Sequence, residues 1–420
     1  MESVLLSSET EFYVDTMKLQ KIEDLGSKSW IEWHKRLQKL NQQAIIEAST
    51  MQDENVKETL LSFGKVPILV HEAILINIWK NKVLPLLLKL NPNTNSTFIV
   101  YSILYHEAVC VALLELVMFH GPVSESLDEV GADLLDYASI SASQLLVVKK
   151  SPVNLQEKGK KEINRQKNDL AFEIGMRCLT IIRYMAEYLE RLPLSVCTGM
   201  YQENDVPVLL VQILLERPWI DQGKSFCGGR WYDWDGEALN KIEAQVWLTL
   251  HALLLNPLVS THYFLTESRK TQLLKVLPLL TETLIDQLAL LQELKYHLCS
   301  LSIDQHPASQ PKSLIIENIL KIKNGILKEN EKKWKAIARQ QMGTVFCSDK
   351  KELLEIAQTL NEAYNTTLLE AFENQDTGNK CAKCDNKAIQ RCSRCKKQWY
   401  CSRRCQVEHW TQHKDECNAE

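Results

Sequence analysis

The stretch that most constrains this chain is its C-terminal segment Cys381–Cys417, CAKCDNKAIQRCSRCKKQWYCSRRCQVEHWTQHKDEC. Seven of the thirteen cysteines fall here, with His409 and His413. The spacing is Cys381-x2-Cys384-x7-Cys392-x2-Cys395-x5-Cys401-x3-Cys405-x7-His413-x3-Cys417. Two or three residues between partners is the reach that two side chains need to share one tetrahedral Zn²⁺. Four such pairs make eight ligands, enough for two closed sites with none left over. Zinc binds thiolate rather than thiol, and seven neighbouring cysteines without metal would invite oxidation, so a metal-free cysteine-rich tail is disfavoured.

The histidines require a choice. His409, His413 and Cys417 are four residues apart, and on a helix all three share a face. Counting favours His413: with Cys392, Cys395 and Cys417 it already makes four, and using His409 would orphan another ligand. His409 then lies at the surface or behind the ligands. Filled positions leave no place for water or substrate, so the expected cofactor is two structural Zn²⁺ per chain. Charge bears on partners too. Residues 380–420 hold ten Lys/Arg and five Asp/Glu, a formal +5. Seven thiolates and two divalent ions reduce this to about +2, which removes most of the attraction for nucleic acid. No recognition helix of the C2H2 type is visible either.

The whole chain has 420 residues, enough for two or three domains, and its net charge of −4 gives no nucleic-acid footprint. Cys110, Cys178, Cys197, Cys227, Cys299 and Cys347 are scattered, mostly in apolar stretches. They read as core thiols and, with the zinc pattern, point to a reducing compartment, cytosol or nucleus. The opening MESVLLSSETEFYVD has no basic start and no long apolar run, so it does not read as a signal peptide. The most apolar segment, Phe98 to His120, is interrupted by His106, Glu107 and Glu115. It is expected as a buried helix, not a membrane span.

Almost everything before residue 345 has helical periodicity. Trp30, Trp33, Leu37, Leu40 and Ala44 recur three or four apart along one face. A short helix is expected over Asn55–Phe63, stopped by Gly64. A long one over Val66–Leu90 should be kinked or split by Pro85, which removes a donor and crowds the preceding turn. Further helices are expected over 98–119, 124–148, 169–191, 204–216, 238–256, 271–301, 313–341 and 350–372. Residues 92–96 and 304–311 read as breaks, and 373–379 as a linker. The polar stretch 149–168, KKSPVNLQEKGKKEINRQKN, reads as a mobile loop. Residues 217–237 set Trp219, Trp231, Tyr232 and Trp234 among glycines, either pinning a loop to the core, the favoured reading, or forming a binding surface. The fold class is all-α: a helical array, HEAT- or armadillo-like or an irregular bundle, over 1–345, then helix and linker over 346–379 and the zinc module over 380–420.

The cysteine pattern, with Tyr400-Cys401, Cys405-Gln406 and His409-Trp410, resembles the MYND-type zinc finger. The resemblance implies interleaved sites: Cys381, Cys384, Cys401 and Cys405 on one zinc, and Cys392, Cys395, His413 and Cys417 on the other. It also implies a protein-interaction module, with Gln406 and Trp410 at the positions of a groove that in some members takes proline-containing peptides. Trp410 is equally well explained by packing over the zinc-binding helix. MYND modules also occur in SET-domain lysine methyltransferases, but the Asn-His-Ser-Cys-type cofactor segment and the many short strands of that enzyme are missing from the sequence. So are a Gly-rich phosphate loop and a G-x-S-x-G elbow. His71-Glu72 and His106-Glu107 lack the H-E-x-x-H continuation and read as local polar positions on helices.

The stretches LNQQAIIEAS (40–49), GKVPILVHE (64–72), IWKNKVLPLL (78–87), HEAVCVALLE (106–115) and KWKAIARQQMGTVF (333–346) resemble a family of MYND-finger axonemal dynein assembly factors. The first twenty residues and 149–168 match least. The resemblance implies a non-enzymatic adaptor or co-chaperone in the cytoplasm, extending to the centrosome and basal bodies. Its implied partners are a leucine-rich-repeat dynein assembly co-factor, the heat-shock protein 90 system and axonemal dynein chains as clients, with neither nucleic acid nor membrane. The alternative is a nuclear co-repressor-type adaptor. That role calls for a localisation signal, for which KGKK at 158–161 is poor.

Overall fold

The structure is a computed structural model. It describes residues 4–50, 53–91, 97–148, 157–303, 320–347 and 349–361, and near the C-terminus residues 381–384, 388, 390–392, 395, 398–414 and 417. The chain forms two compact units, 1–363 and 364–420.

In the first unit the described helices are α1 (Ser7–Asp15), α2 (Lys28–Thr50), α3 (Asn55–Ser62), α4 (Val66–Lys82), α5 (Leu84–Leu90), α6 (Phe98–Met118), α7 (Gly121–Glu125), α8 (Val130–Ser143), α9 (Lys160–Glu187) and α10 (Leu194–Thr198). They continue with α11 (Val206–Glu216), α12 (Lys241–Leu255), α13 (Val259–His262), α14 (Glu267–Leu274), α15 (Glu282–Gln287), α16 (Leu291–Ile303), α17 (Lys321–Asn330), α18 (Trp334–Val345) and α19 (Lys350–Asn361). The five apolar residues that mark one face of α2 are all buried. At the end of α3, the Lys65 N–H donates to Leu60 O (2.9 Å) and the Gly64 N–H to Leu61 O (3.1 Å). This double closure needs a left-handed residue, which Gly64 supplies at φ +62°. Pro85 splits the expected long helix: α4 stops at Lys82, and the proline sits in the first turn of α5, where a missing N–H costs nothing.

Two of the expected boundaries change. The polar stretch 149–168 is not all loop, because α9 begins at Lys160. Ile163 is buried there, and Arg165–Asp169 and Gln166–Glu162 pair one turn apart, so few apolar side chains suffice. Residues 149–156 lie outside the described residues. The leucine-rich 271–301 is broken into α14, a 3₁₀ turn around Pro278, α15 and α16. Thr266 and Thr281 start the new helices by accepting backbone N–H bonds from Arg269 and Leu284. The expected breaks 92–96 and 304–311, the linker 373–379 and the last part of the 350–372 helix fall outside the described residues.

The aromatic loop contains a three-stranded antiparallel meander: β1 (Ile220–Asp221), β2 (Lys224–Cys227) and β3 (Arg230–Asp233). Its strands are too short to show an alternating pattern in sequence. Trp219 is buried and donates its indole N–H to Glu243 (2.9 Å). Phe226 meets Phe172 of α9 edge-on at 5.1 Å, and Trp231 stacks on Phe172 at 5.9 Å. Asn240 ties the meander to α12. Its amide donates to Phe226 O (2.7 Å), and its oxygen caps the helix by accepting from Ile242 and Glu243 N–H. Pinning is therefore the role of Trp219, Phe226 and Trp231, while Tyr232 is exposed and Trp234 half-buried.

The core runs through α6, which packs against α2, α4 and α9; α9 in turn packs against α8 and α12. α6 is long and apolar enough to cross a membrane, but most of its apolar window is buried in the protein. A linear solenoid contacts only successive repeats. Here α17 lies on α4 and α8, α18 on α5, and α19 on α2. The C-terminal helices return to the N-terminal ones, so of the two all-α arrangements the irregular bundle fits. Gln341 on α18 fixes that return: it accepts from Trp79 Nε1 (2.9 Å) and donates to Ile22 O (2.7 Å).

His71-Glu72 and His106-Glu107 are not local features. His106 of α6 meets His34 of α2 through their Nδ1 atoms (2.9 Å), and its Nε2 faces Glu72 of α4 at 3.4 Å. His71 Nδ1 lies 3.3 Å from Glu72, which also accepts the Gln20 N–H (3.1 Å). His34, His106 and Glu72 are all fully buried. Burial first, and the neighbouring His106 second, hold His34 well below the ordinary imidazole range. Folded His34 stays neutral where the unfolded chain takes up a proton. Its contribution to stability is present above pH 6.5 and is lost as pH falls below that value. Unfolding free energy measured between pH 7.5 and 5 should decline by up to about 1.4 kcal/mol per pH unit for this proton. The decline should flatten in His34→Asn; an unchanged slope would exclude His34 as its source.

Candidate metal centre

The second unit brings the eight predicted ligands together in two groups. Cys381, Cys384, Cys401 and Cys405 form one, and Cys392, Cys395, His413 and Cys417 the other. Within each group all ligand atoms lie within 4.8 Å of one another. A tetrahedron of zinc–sulfur bonds near 2.3 Å has edges of about 3.8 Å. The Sγ separations fit: Cys384–Cys401 3.5 Å, Cys401–Cys405 3.5 Å, Cys405–Cys384 3.8 Å and Cys392–Cys417 3.9 Å. His413 presents Nε2, 3.3 Å from the sulfur of Cys395. The residues therefore fit two four-coordinate Zn²⁺ ions with no open position, which makes both sites structural. When bound, each ion supplies charge that holds four donors in one small shell.

Short local elements position the ligands. β4 (Gln390–Arg391) pairs antiparallel with β5 (Trp399–Tyr400), with Gln390 opposite Tyr400. The Cys392 N–H donates to Gln398 O and the Ala382 N–H to Trp399 O, both 2.9 Å. These bonds place Cys392 directly after β4 and Cys401 directly after β5. The helix α20 (Arg403–His413) then starts with Ser402, whose hydroxyl accepts the Cys405 N–H (3.3 Å). His413 lies eight positions after Cys405 along the helix, a little over two turns. One end of α20 thus feeds each site, which gives the interleaving a physical cause. Cys381, Ala388, Cys392, Cys395, Tyr400 and Cys417 make the unit's small buried cluster.

The thiols respond to their surroundings. Burial opposes ionisation of Cys381, but the backbone N–H groups of Cys401, Lys383 and Cys384 outweigh it and bring the thiol down to about 6. Cys401, hydrogen-bonded first to Cys384 and then to Cys405, is held up at about 12. Neighbouring thiolates repel, so a tetrad cannot ionise fully without a cation. Metal binding therefore releases protons as it folds the segment.

His409 is outside both tetrads. Its Nδ1 lies 3.1 Å from the hydroxyl of buried Tyr400, and its ring stacks on His413 at 6.0 Å, 12° from parallel. It supports the ligand helix from behind. Trp410 divides its surface: its ring meets His413 edge-on at 5.8 Å, yet it remains 37% exposed, with Gln406 half-buried one turn earlier. Sequence reasoning missed Tyr400 as the centre of the small core; its place between Trp399 and Cys401 was the available signal.

The MYND finger family model matches residues 381–417. Over nearly its full length the chain is similar to the zinc finger MYND domain-containing protein 10 homolog of Drosophila melanogaster, 35% identical over 442 aligned positions, covering 97% of this chain and 98% of that protein. It also resembles ubiquitin carboxyl-terminal hydrolase 15 of Arabidopsis thaliana, 58% identical over 38 residues, which is 9% of this chain and 4% of that protein. So local a likeness carries no hydrolase activity across. No solved structure matches the chain.

Proposed function

We propose, from the premise that this chain belongs to the family of zinc finger MYND domain-containing protein 10, that it is a non-enzymatic adaptor or co-chaperone for cytoplasmic pre-assembly of axonemal dynein arms. The observation that carries this reading is relatedness across 97% of the chain, which takes in the helical unit as well as the finger. A shared finger alone would imply a partner-binding module and nothing about its cargo. In this reading the helical unit offers a broad surface to dynein chains or to the heat-shock protein 90 system. The finger captures a segment of a partner, with the leucine-rich-repeat assembly co-factor as first choice. Both zinc sites are closed, which supports a scaffold role for the finger. Loss of the protein from ciliated cells should leave cilia present but short of dynein arms in electron micrographs. Cilia with normal arms would refute the assignment.

A further inference from the structure

We infer that a cleft beside α12 in the helical unit takes an extended apolar segment of a partner protein, holding it by its backbone carbonyls. The inference rests on the reading of the helical unit as a client- or chaperone-binding surface, and it gives that surface a place and a chemistry. The cleft lies between the end of α11, the loop after β3, the first turns of α12 and the turn into α15, and its volume is about 270 Å³. Leu214, Leu239, Leu279, Leu284 and Pro278 supply its apolar lining. Every lining residue falls between 214 and 287, inside one continuous described stretch. Its walls are tied together before anything binds. Gln287 of α15 accepts the Leu239 N–H (2.9 Å) and donates to Glu237 O (3.2 Å), and Trp234 Nε1 donates to Ala238 O (2.8 Å). A preformed cleft lowers the ordering cost of binding.

Two buried donors on its lining residues lack an acceptor. Trp247 is 1% exposed, and its indole N–H meets no acceptor among the described residues. The same holds for Nε of Arg217, whose Nη2 pairs with Glu243 at 2.9 Å and whose guanidinium lies 5.3 Å from the centre of the Trp234 ring. Buried N–H groups without acceptors are rare in folded proteins, and each costs free energy until something accepts from it. The backbone points the same way. Arg217 ends α11 at φ 45°, ψ 59°, a left-handed position that favours glycine or asparagine. Keeping an arginine there brings its guanidinium onto Trp234 and Glu243. Charge then narrows the ligand. Glu243 matches Arg217, and Glu237 adds one more negative charge to the lining. An incoming anion meets that excess, and an incoming cation has nothing to offer the two donors. A neutral acceptor next to an apolar side chain suits both, which describes a peptide carbonyl. The two donors would hold one or two waters of about 30 Å³ each, so most of the volume is left for the side chain.

The test follows the indole N–H signals of the ten tryptophans by heteronuclear NMR on the zinc-loaded full-length chain, isotope-labelled at tryptophan. The probes are acetyl-leucine methylamide, its glutamate and lysine counterparts, and a blocked Ala-Ala-Leu-Ala-Ala peptide. The Trp247 signal, identified by its loss in Trp247→Phe, should move downfield and saturate with the leucine compound. The glutamate and lysine compounds should bind about tenfold more weakly, because each brings a charge out of water. The pentapeptide should bind tighter than the single residue. Trp247→Phe, read at Trp234, should weaken the leucine compound by roughly two- to tenfold, the loss of one hydrogen bond. Leu279→Glu, at a partly buried position, should abolish the shifts while far-UV circular dichroism and the other indole signals stay unchanged. Equal affinity for the three side chains would overturn the inference, as would shifts that survive Leu279→Glu. Weaker binding of the pentapeptide than of the single residue would mark a site for a free small molecule and overturn it too. No shift with any probe would do the same and leave water as the filling. The assembly reading stands or falls separately, on the dynein arms.

Discussion

Chelation is expected to release two zinc ions per chain and unfold residues 381–417 while the helical unit stays folded. The finger's buried cluster is six residues, four of them cysteine ligands. With the metal gone, that cluster is a handful of thiols and one tyrosine, far too little apolar area to offset the ordering of the chain. Structural zinc in small fingers contributes roughly 10–16 kcal/mol at neutral pH, which is folding free energy outright. The helical unit has a core of its own, built from α2, α4, α6, α8, α9 and α12. The measurement combines a colorimetric zinc count, alkylation of newly reactive thiols and far-UV circular dichroism. Seven additional thiols should label after chelation, and the helical signal should fall only slightly, since α20 is 11 residues long. A count of one zinc, or collapse of the whole helical signal, would contradict the two-site arrangement.

The second large effect is expected from Lys80→Met. Glu107 lies buried in α6 and accepts from Lys80 Nζ (2.6 Å), Asn77 Nδ2 (3.1 Å) and the Tyr137 hydroxyl (2.9 Å). Those partners sit on α4 and α8, so one carboxylate joins three core helices. Burial, and after it the charge of Glu107, push the Tyr137 hydroxyl well above its ordinary value, which keeps it a donor. Removing the lysine leaves a buried carboxylate with two neutral donors, a change that costs about 3–5 kcal/mol. A typical domain has only about 5–15 kcal/mol in total, so thermal unfolding should shift markedly and yield should drop. Adding Glu107→Leu to the variant should recover part of the loss, because an apolar pair needs no charge balance. Denaturant unfolding of the single and double variants decides it. A cost under about 1 kcal/mol for Lys80→Met would mean that the pair is solvated.

Much of this molecule is written in short-range patterns. The one-sided apolar spacing of α2, the stop at Gly64 and the split at Pro85 each depend on residues within a turn or two. They could be read directly and appear in the structure as read. The same holds for pairing Cys381 with Cys384, or His413 with Cys417, because two ligands three or four residues apart can reach one ion without any contact between distant segments. The reading weakened where local polarity outweighed a few buried contacts, as in α9, where Ile163 anchors a polar first turn. It also missed the meander at 220–233, whose strands of two to four residues are too short to show a period.

The sequence by itself determined the eight ligands, the closed character of the two zinc sites and the all-α class, since each follows from spacing along the chain. Only the tertiary structure decided how distant segments meet. It brought His34, Glu72 and His106 together through 2.9 and 3.4 Å contacts. It laid α17, α18 and α19 back on the N-terminal helices. The physical reason is that periodicity says which side of a helix is buried but not against what. Choosing the partner depends on packing all the faces at once, and a buried charge or imidazole finds its counterpart only when that packing is complete.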